Sequence, residues 1–378
     1  MKLRLIAIVV SNLLLAACGG GGSSTPESPV TTAKPTADPT ATAVPGVTPI
    51  PVGVNIAPTP KPETLIQAEA AGVQMLNAAR TSCGFDALVN DAVLKVAVDG
   101  AGNYFKLRYA EALFAYGHYQ AAGSTGFTGA TPSDRAQTAG YPTLIGWAGP
   151  RVYENLSTSI APTGYTFYSK VDAAEAMTED LLNTVYHQLS LIAPMREVGA
   201  SYVEASYIEG TAPKEITRQG SSIAHRITFN TGTRTATDGA ASGSNTVLSY
   251  PCQGSEIPAT FKPSLESPNP MLDVGSKVVG SPIGLRAPTG TTLDITSYSV
   301  QNQAAQILAS RLLTRTKDSM ISGNNASIVP EEALEVGKTY RVTAQGTFSG
   351  NGFAVTPFSI DFTFKTRAAR QNNLVKKV

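Results

Sequence analysis

The stretch VDAAEAMTEDLLNTVYHQLSL (residues 171–191), followed closely by EVGASYVEA (197–205), sets the class of fold. Val171, Ala174, Met177, Leu181, Val185 and Leu189 recur at spacings of three or four, which predicts one helix from about Val171 to Leu191. The run Glu197 to Ala205 then reads as a strand, and Ile223 to Asn230 and Asn245 to Tyr250 read the same way. Upstream, Leu65, Glu69, Val73, Leu76 and Arg80 predict a helix over Glu63 to Arg80, stopped near Gly84. Asn90 is placed to cap a second helix carrying Val93, Leu94, Ala97 and Ala101 on one stripe, with a bend expected around Gly100 and Gly102. Helices first and short strands later predict an α+β sandwich rather than a doubly wound sheet.

Further along, the prolines at 251, 258, 263, 268 and 270 predict an extended connector. Beyond it lie short alternating runs: Ile283 to Ala287, Leu293 to Val300, Ile307 to Leu313, Thr339 to Thr347 and Phe358 to Thr366. The ending Phe362-Thr363-Phe364-Lys365-Thr366 alternates with period two. About 100 residues of such strands suit one all-β sandwich. No chemistry is expected in it beyond a spacer or a second contact surface.

The amino-terminal end speaks of location. Lys2 and Arg4 precede an apolar run from Leu5 to Ala17, broken only by Ser11 and Asn12. That run is too short for a permanent membrane span and suits a signal peptide. Ten prolines and four charged residues in Gly19 to Pro62 predict an extended tether reaching on the order of 140 Å. Lys plus Arg is 29 and Asp plus Glu is 28 among 378 residues, so the basic face expected of a phosphate-reading protein is missing. Nucleic acid is therefore not expected as a partner. Neither a nucleophile elbow nor a nucleotide-binding glycine fingerprint stands in strand–turn–helix context.

Leu15-Ala16-Ala17-Cys18 resembles the bacterial lipobox, which implies cleavage before Cys18, lipidation of its thiol and a membrane anchor. A second resemblance rests on patches in order: Leu76-Asn77-x-x-Arg80, Leu88-Val89-Asn90, Gly117-His118-Tyr119, Asp134-Arg135, Gly140-Tyr141, Tyr153-Glu154-Asn155-Leu156, Tyr186-His187 and Val198-Gly199-Ala200. This series is similar to the bacterial branch of the CAP superfamily, also called the SCP domain (cysteine-rich secretory proteins, antigen 5 and pathogenesis-related proteins). The resemblance covers roughly residues 63 to 250. It implies a CAP-type α-β-α sandwich with a wide cleft lined by His118, Glu154 and His187. The carboxyl-terminal unit resembles the Ig-like modules of bacterial surface proteins. The expected organisation is a signal peptide (1–17), tether (18–62), CAP domain (63–255), linker (256–270), Ig-like β-sandwich (271–368) and tail (369–378).

Two imidazoles and one carboxylate suit Zn²⁺ with an open fourth position. Relatives often carry an acid or Ser three residues before the second His, where this chain has Thr184, and a Trp where it has Leu181. Glu175 and Glu179 are expected to face solvent. Arg135, with Asp134, is expected to order a loop, and Asn155 to hold a turn or strand end beside the cleft. Cys83 and Cys252 suit one disulfide in an oxidising envelope, the alternative being two buried thiols. The functional expectation is an envelope lipoprotein, placed at the outer membrane by Gly19 after the lipidated Cys18, whose CAP cleft binds a lipid, glycan, metal or partner protein. The alternatives are a metal-dependent hydrolase and a structural adhesion protein. Trp147, seven residues before Glu154, would report on the cleft.

Overall fold

Among the described residues the first regular element, α1 (Leu65–Ser82), starts where the Thr64 side chain accepts from the Gln67 N–H and the Gln67 side chain accepts from the Thr64 N–H. This computed structural model describes residues 60–113, 117–144, 150–161, 164–209, 221–234, 246–371 and 373–376. The signal peptide, Cys18, the tether up to residue 59 and Trp147 lie outside the described residues.

After α1 come β1 (Val89–Asn90), α2 (Ala92–Ala110), α3 (Pro132–Thr138), β2 (Val152–Ala161), β3 (Tyr165–Phe167), α4 (Lys170–Leu182), α5 (Tyr186–Leu191), β4 (Glu197–Tyr207) and β5 (Ser222–Gly232). Four strands form one sheet in the order β1-β4-β5-β2, with β5 antiparallel to both neighbours. Side-chain alternation divides β4 between two layers. Val198, Ala200 and Tyr202 meet Leu76 of α1 and Met177 and Leu181 of α4, whereas Ala205 and Tyr207 meet Phe105 and Tyr109 of α2. Helices thus cover both faces of the sheet, and the chain mixes helix and sheet as expected.

Three local expectations need correction. Asn90 belongs to β1, paired with Val198, and Asp91 caps α2 by accepting from the N–H groups of Val93 and Leu94. Helix α2 runs unbroken through Gly100 and Gly102. A Cβ at Gly102 would lie 2.8 Å from Ser201 Oγ and Val203 Cγ1, so this glycine lets helix and sheet approach rather than bending the helix. The single helix expected over 171–191 is two helices. Asn183 caps α4, and the Glu266 carboxylate accepts from the backbone N–H of Val185, Tyr186 and His187. Those N–H groups satisfied by a distant carboxylate do not bond back into α4.

The later strands are β6 (Leu248–Tyr250), β7 (Glu256–Pro258), β8 (Thr260–Phe261), β9 (Val279–Gly280), β10 (Ile283–Arg286), β11 (Thr292–Gln301), β12 (Ser310–Thr314), β13 (Asn325–Pro330), β14 (Thr339–Gly350), β15 (Phe353–Arg367) and β16 (Leu374–Lys376). Two four-stranded sheets, β12-β13-β10-β6 and β11-β14-β15-β7, face each other across a core that includes Ile283, Leu285, Ile328, Val342, Phe362 and Phe364.

The two halves interlock. Strand β6, assigned from sequence to the first unit, pairs with β10 of the second. A disulfide joins Cys83, just after α1, to Cys252, just after β6. A shared apolar cluster brings Phe85, Val185, Leu189 and Ile192 against Phe261, Met271, Ile321 and Val329. The segment read as a tail returns to the first unit, where β16 pairs antiparallel with β3 and Val375 is buried. Glu179 does not face solvent: it is buried, bonded to Arg367 and accepting from the Arg370 N–H, while Glu175 pairs with Arg370. Among the described residues no helix is long and apolar enough to cross a membrane.

Candidate functional site

His118, Glu154 and His187, 36 and 33 residues apart in sequence, meet at one cavity of about 400 Å³. Three elements deliver them: the loop after α2, strand β2 and helix α5. Glu154 lies inside β2, opposite Asn230 of β5. Its side chain is 1% exposed. Oε1 lies 3.1 Å from His118 Nδ1, and Oε2 accepts from Arg135 Nη2 at 2.7 Å. Burial works against ionising this carboxyl, but the Arg135 guanidinium and His118 outweigh it and hold its pKa below the usual 4.5.

Arg135 is positioned by α3, which Thr131 and Asp134 start with a reciprocal capping box. Its Nη1 also donates to Gly129 O at 3.3 Å. Asp134 and Arg135 therefore order the local chain, and Arg135 additionally reaches the cleft carboxylate. Asn155, the next residue of β2, donates from Nδ2 to Ser190 Oγ of α5 at 3.1 Å, tying the strand to the helix that carries His187.

The second imidazole has its own carboxylate, which the sequence reading missed. His187 Nδ1 lies 3.1 Å from Glu266 Oε1 and 3.2 Å from Thr184 Oγ1. Thr184 in turn donates to Leu181 O. Glu266 comes from the proline-rich connector and its side chain is fully buried. A lone Glu in a linker carries no periodic signal, so only the tertiary path reveals its role. Thr184 thus supplies a hydroxyl to His187 Nδ1, and the acid arrives from 79 residues downstream of His187.

The two imidazole rings are tilted by 36° with centroids 6.5 Å apart. A ring that donates from Nδ1 to its carboxylate leaves Nε2 for other partners. No hydrogen bond occupies either Nε2 among the described residues. Each can accept a hydrogen bond or a proton from a ligand in the cavity. The third histidine, His225, is buried elsewhere, between Tyr202, Phe167 and Glu204.

The residues expected to hold zinc are thus brought together, but both oxygens of Glu154 are already engaged. Glu266 is equally committed to three backbone N–H groups and His187. Among the described residues no group of three or more His, Cys, Asp or Glu side chains is arranged around a cation. Two imidazole nitrogens fall short of the three protein ligands of a catalytic zinc site.

The opposite wall belongs to the β unit. Arg286, Arg315, Met320, Ile321 and Asn325 line the same cavity as His118 and His187. The expectation that the carboxyl-terminal unit stands apart from the chemistry is corrected by this shared wall.

No protein-family model and no curated protein matches the chain. Solved structures similar to it include a Bacteroides vulgatus protein named as a candidate bacterial DNA-binding protein, 13% identical, with a TM-score of 0.19, covering 44% of this chain and 70% of that one. The partners expected from sequence, a membrane through a lipid anchor and a lipid, glycan or protein ligand to the exclusion of nucleic acid, are corrected on this finding: the exclusion of nucleic acid no longer stands. A likeness at this TM-score carries no argument about what this chain binds.

Proposed function

We propose that this chain is an envelope lipoprotein with a CAP-type domain whose cleft, walled on one side by an Ig-like β unit, binds a small organic ligand. One observation carries the reading. Two imidazoles, each oriented through Nδ1 by a buried carboxylate, present otherwise unpartnered Nε2 atoms at a cavity of about 400 Å³. That volume lies within the roughly 300–1,000 Å³ of small-molecule sites, which combine apolar walls with a few fixed polar groups. Fixing two rings with buried acids is costly for stability alone and suits recognition.

The test is a comparison of what copurifies with the full chain. Native mass spectrometry of the parent should show an added small-molecule mass that disappears in Met320→Trp, which fills the cavity from the β side. A parent with no bound mass, or a filled variant that retains it, overturns the reading. The alternative of a metal-dependent hydrolase draws on the same His–carboxylate pairs, an outer-shell arrangement also seen around metal-bound histidines. Stoichiometric Zn²⁺ binding by calorimetry, abolished by His118→Ala, would favour it.

A further inference from the structure

Arg286 is a buried cation that pairs with no carboxylate among the described residues. It ends β10, whose alternation sends Ile283 and Leu285 into the β-sandwich core and turns Gly284 and Arg286 toward α5. Gly284 makes that approach possible, because a Cβ there would lie 2.6 Å from Gln188 Oε1. Arg286 is 8% exposed and makes one hydrogen bond among the described residues, from Nη1 to Leu189 O at 3.2 Å. Its titratable neighbours are the Tyr153 phenol, neutral at pH 7, and the cations Arg80 and Arg151. Burial first, and then the two arginines, pull its pKa down to about 10 against the opposing effect of Tyr153, which leaves it charged at neutral pH.

The other buried guanidiniums near the site are treated differently. Arg80 donates to the carbonyls of Asp86, Leu191, Ala193 and Met195. Arg135 has Glu154. Arg286 keeps N–H groups in reserve, and it lines the cavity that holds the two imidazoles. Directly across the ladder from it stands Asn325, 6% exposed, with an Oδ1 that is buried and has no hydrogen-bond partner among the described residues. Arg315 adds a second cation to the same wall. Between these polar groups the wall is apolar, with Leu189, Met320 and Ile321.

We propose that the cavity takes a small organic acid with an apolar body, its carboxylate paired with Arg286 and hydrogen-bonded near Asn325; this rests on the cavity being a ligand site. A guanidinium edge accepts a carboxylate through two parallel N–H···O bonds, which matches the donors Arg286 leaves unused. An unpaired buried charge is otherwise a pure cost, and a ligand anion removes that cost only when bound.

The full chain is titrated calorimetrically with 3-phenylpropanoate, 3-phenylpropanol and 3-phenylpropylamine, three probes of one body and different charge. The acid should bind at least tenfold more tightly than the alcohol or the amine. Arg286→Met should bring the acid down to the level of the alcohol, Arg286→Lys should lose less, and Arg315→Gln less still. The thermal midpoint of ligand-free Arg286→Met should equal or exceed that of the parent, because a structural arginine would instead lower it. Equal binding of acid and alcohol overturns the carboxylate assignment while leaving the cavity as a ligand site. So does failure of all three probes to bind a chain that carries a copurified mass. A lowered midpoint in Arg286→Met with acid binding intact assigns the residue to structure and overturns the proposal.

Discussion

Replacing Glu266 by Gln tests how the cleft is built. Its carboxylate accepts from Val185 N at 2.8 Å, Tyr186 N at 2.7 Å, His187 N at 3.2 Å and His187 Nδ1 at 3.1 Å. A Gln can keep its carbonyl oxygen on the Tyr186 and His187 donors. Its amide nitrogen then replaces Oε2 and faces the Val185 N–H, donor against donor. One charge-assisted bond, worth about 1.5–3 kcal/mol, is lost, and the others become neutral. We expect a cost of roughly 2–4 kcal/mol at neutral pH. For roughly 300 ordered residues at about 2.1 cal/mol/K each, that lowers the thermal midpoint by about 3–6 °C. Glu266→Ala, which leaves three backbone N–H groups without an acceptor, should cost more. The assay is thermal unfolding followed by circular dichroism, with the ring ¹⁵N shifts of His187 recorded alongside. Those shifts should change in Glu266→Gln because the charged partner of Nδ1 is gone. A midpoint within 1 °C of the parent together with unchanged His187 shifts would refute the idea that a connector residue holds this half of the cleft.

Glu154→Gln should cost about 3–5 kcal/mol at pH 7, since it strands the buried Arg135 guanidinium. The folded carboxyl titrates below 4.5, so its contribution is present above that value and is lost as pH falls through the folded pKa. Urea unfolding at pH 7 and pH 3.5 should show the gap between parent and variant shrinking at the lower pH, and a constant gap would contradict the assignment. Opening the Cys83–Cys252 bond releases a loop of 169 residues' separation, for which the chain-entropy model sets an upper figure of about 5 kcal/mol. The double Ser variant should unfold at clearly lower urea, and two free thiols in non-reducing mass spectrometry of the parent would dismiss the bond. Gly199→Ala should cost about 3 kcal/mol or more, because the new Cβ would sit 2.3 Å from the backbone carbon of Leu94, measured as a lost or strongly shifted unfolding transition.

The elements carried by periodicity were readable. The stripes of α1, α2 and α4, and the strands β4, β5, β14 and β15, follow from spacing because each buries one face. What escaped was set by contacts between distant segments. Nothing in Asn183-Thr184-Val185 announces a helix break, since the apolar stripe continues through Val185 to Leu189. The break exists because Glu266 captures the N–H groups of the next turn. Glu154 and Asn155 lie inside β2, whereas the sequence places Asn155 at a turn or strand end. Both are buried there, one satisfied by Arg135 and His118, the other by Ser190. The convergence of His118, Glu154 and His187 was legible only through resemblance, as no local spacing unites them. Arg286 carries no signal of its role in the run Ile283 to Ala287, since one cation in a short apolar run equally suits a solvated strand edge.

The division of labour across the cavity follows from those contacts. The first unit supplies the hydrogen-bonding imidazoles, and each is oriented by an acid that is itself immobilised. The β unit supplies the uncompensated cation and much of the apolar wall. Neither wall encloses a ligand by itself, so the relative placement of the units decides what fits. Four separate devices hold that placement: the Cys83–Cys252 bond, the pairing of β6 with β10, the apolar cluster around Leu189 and Ile321, and the return of β16 to β3. Interfaces between domains that move are small and polar. This one buries a shared apolar cluster, is covalently stapled and is joined again by the pairing of β16 with β3, so the shape of the cavity is set by side chains rather than by hinge motion. A substitution on the β wall should therefore change which ligand charge is accepted, while one at the His–carboxylate pairs should change how tightly any ligand is held.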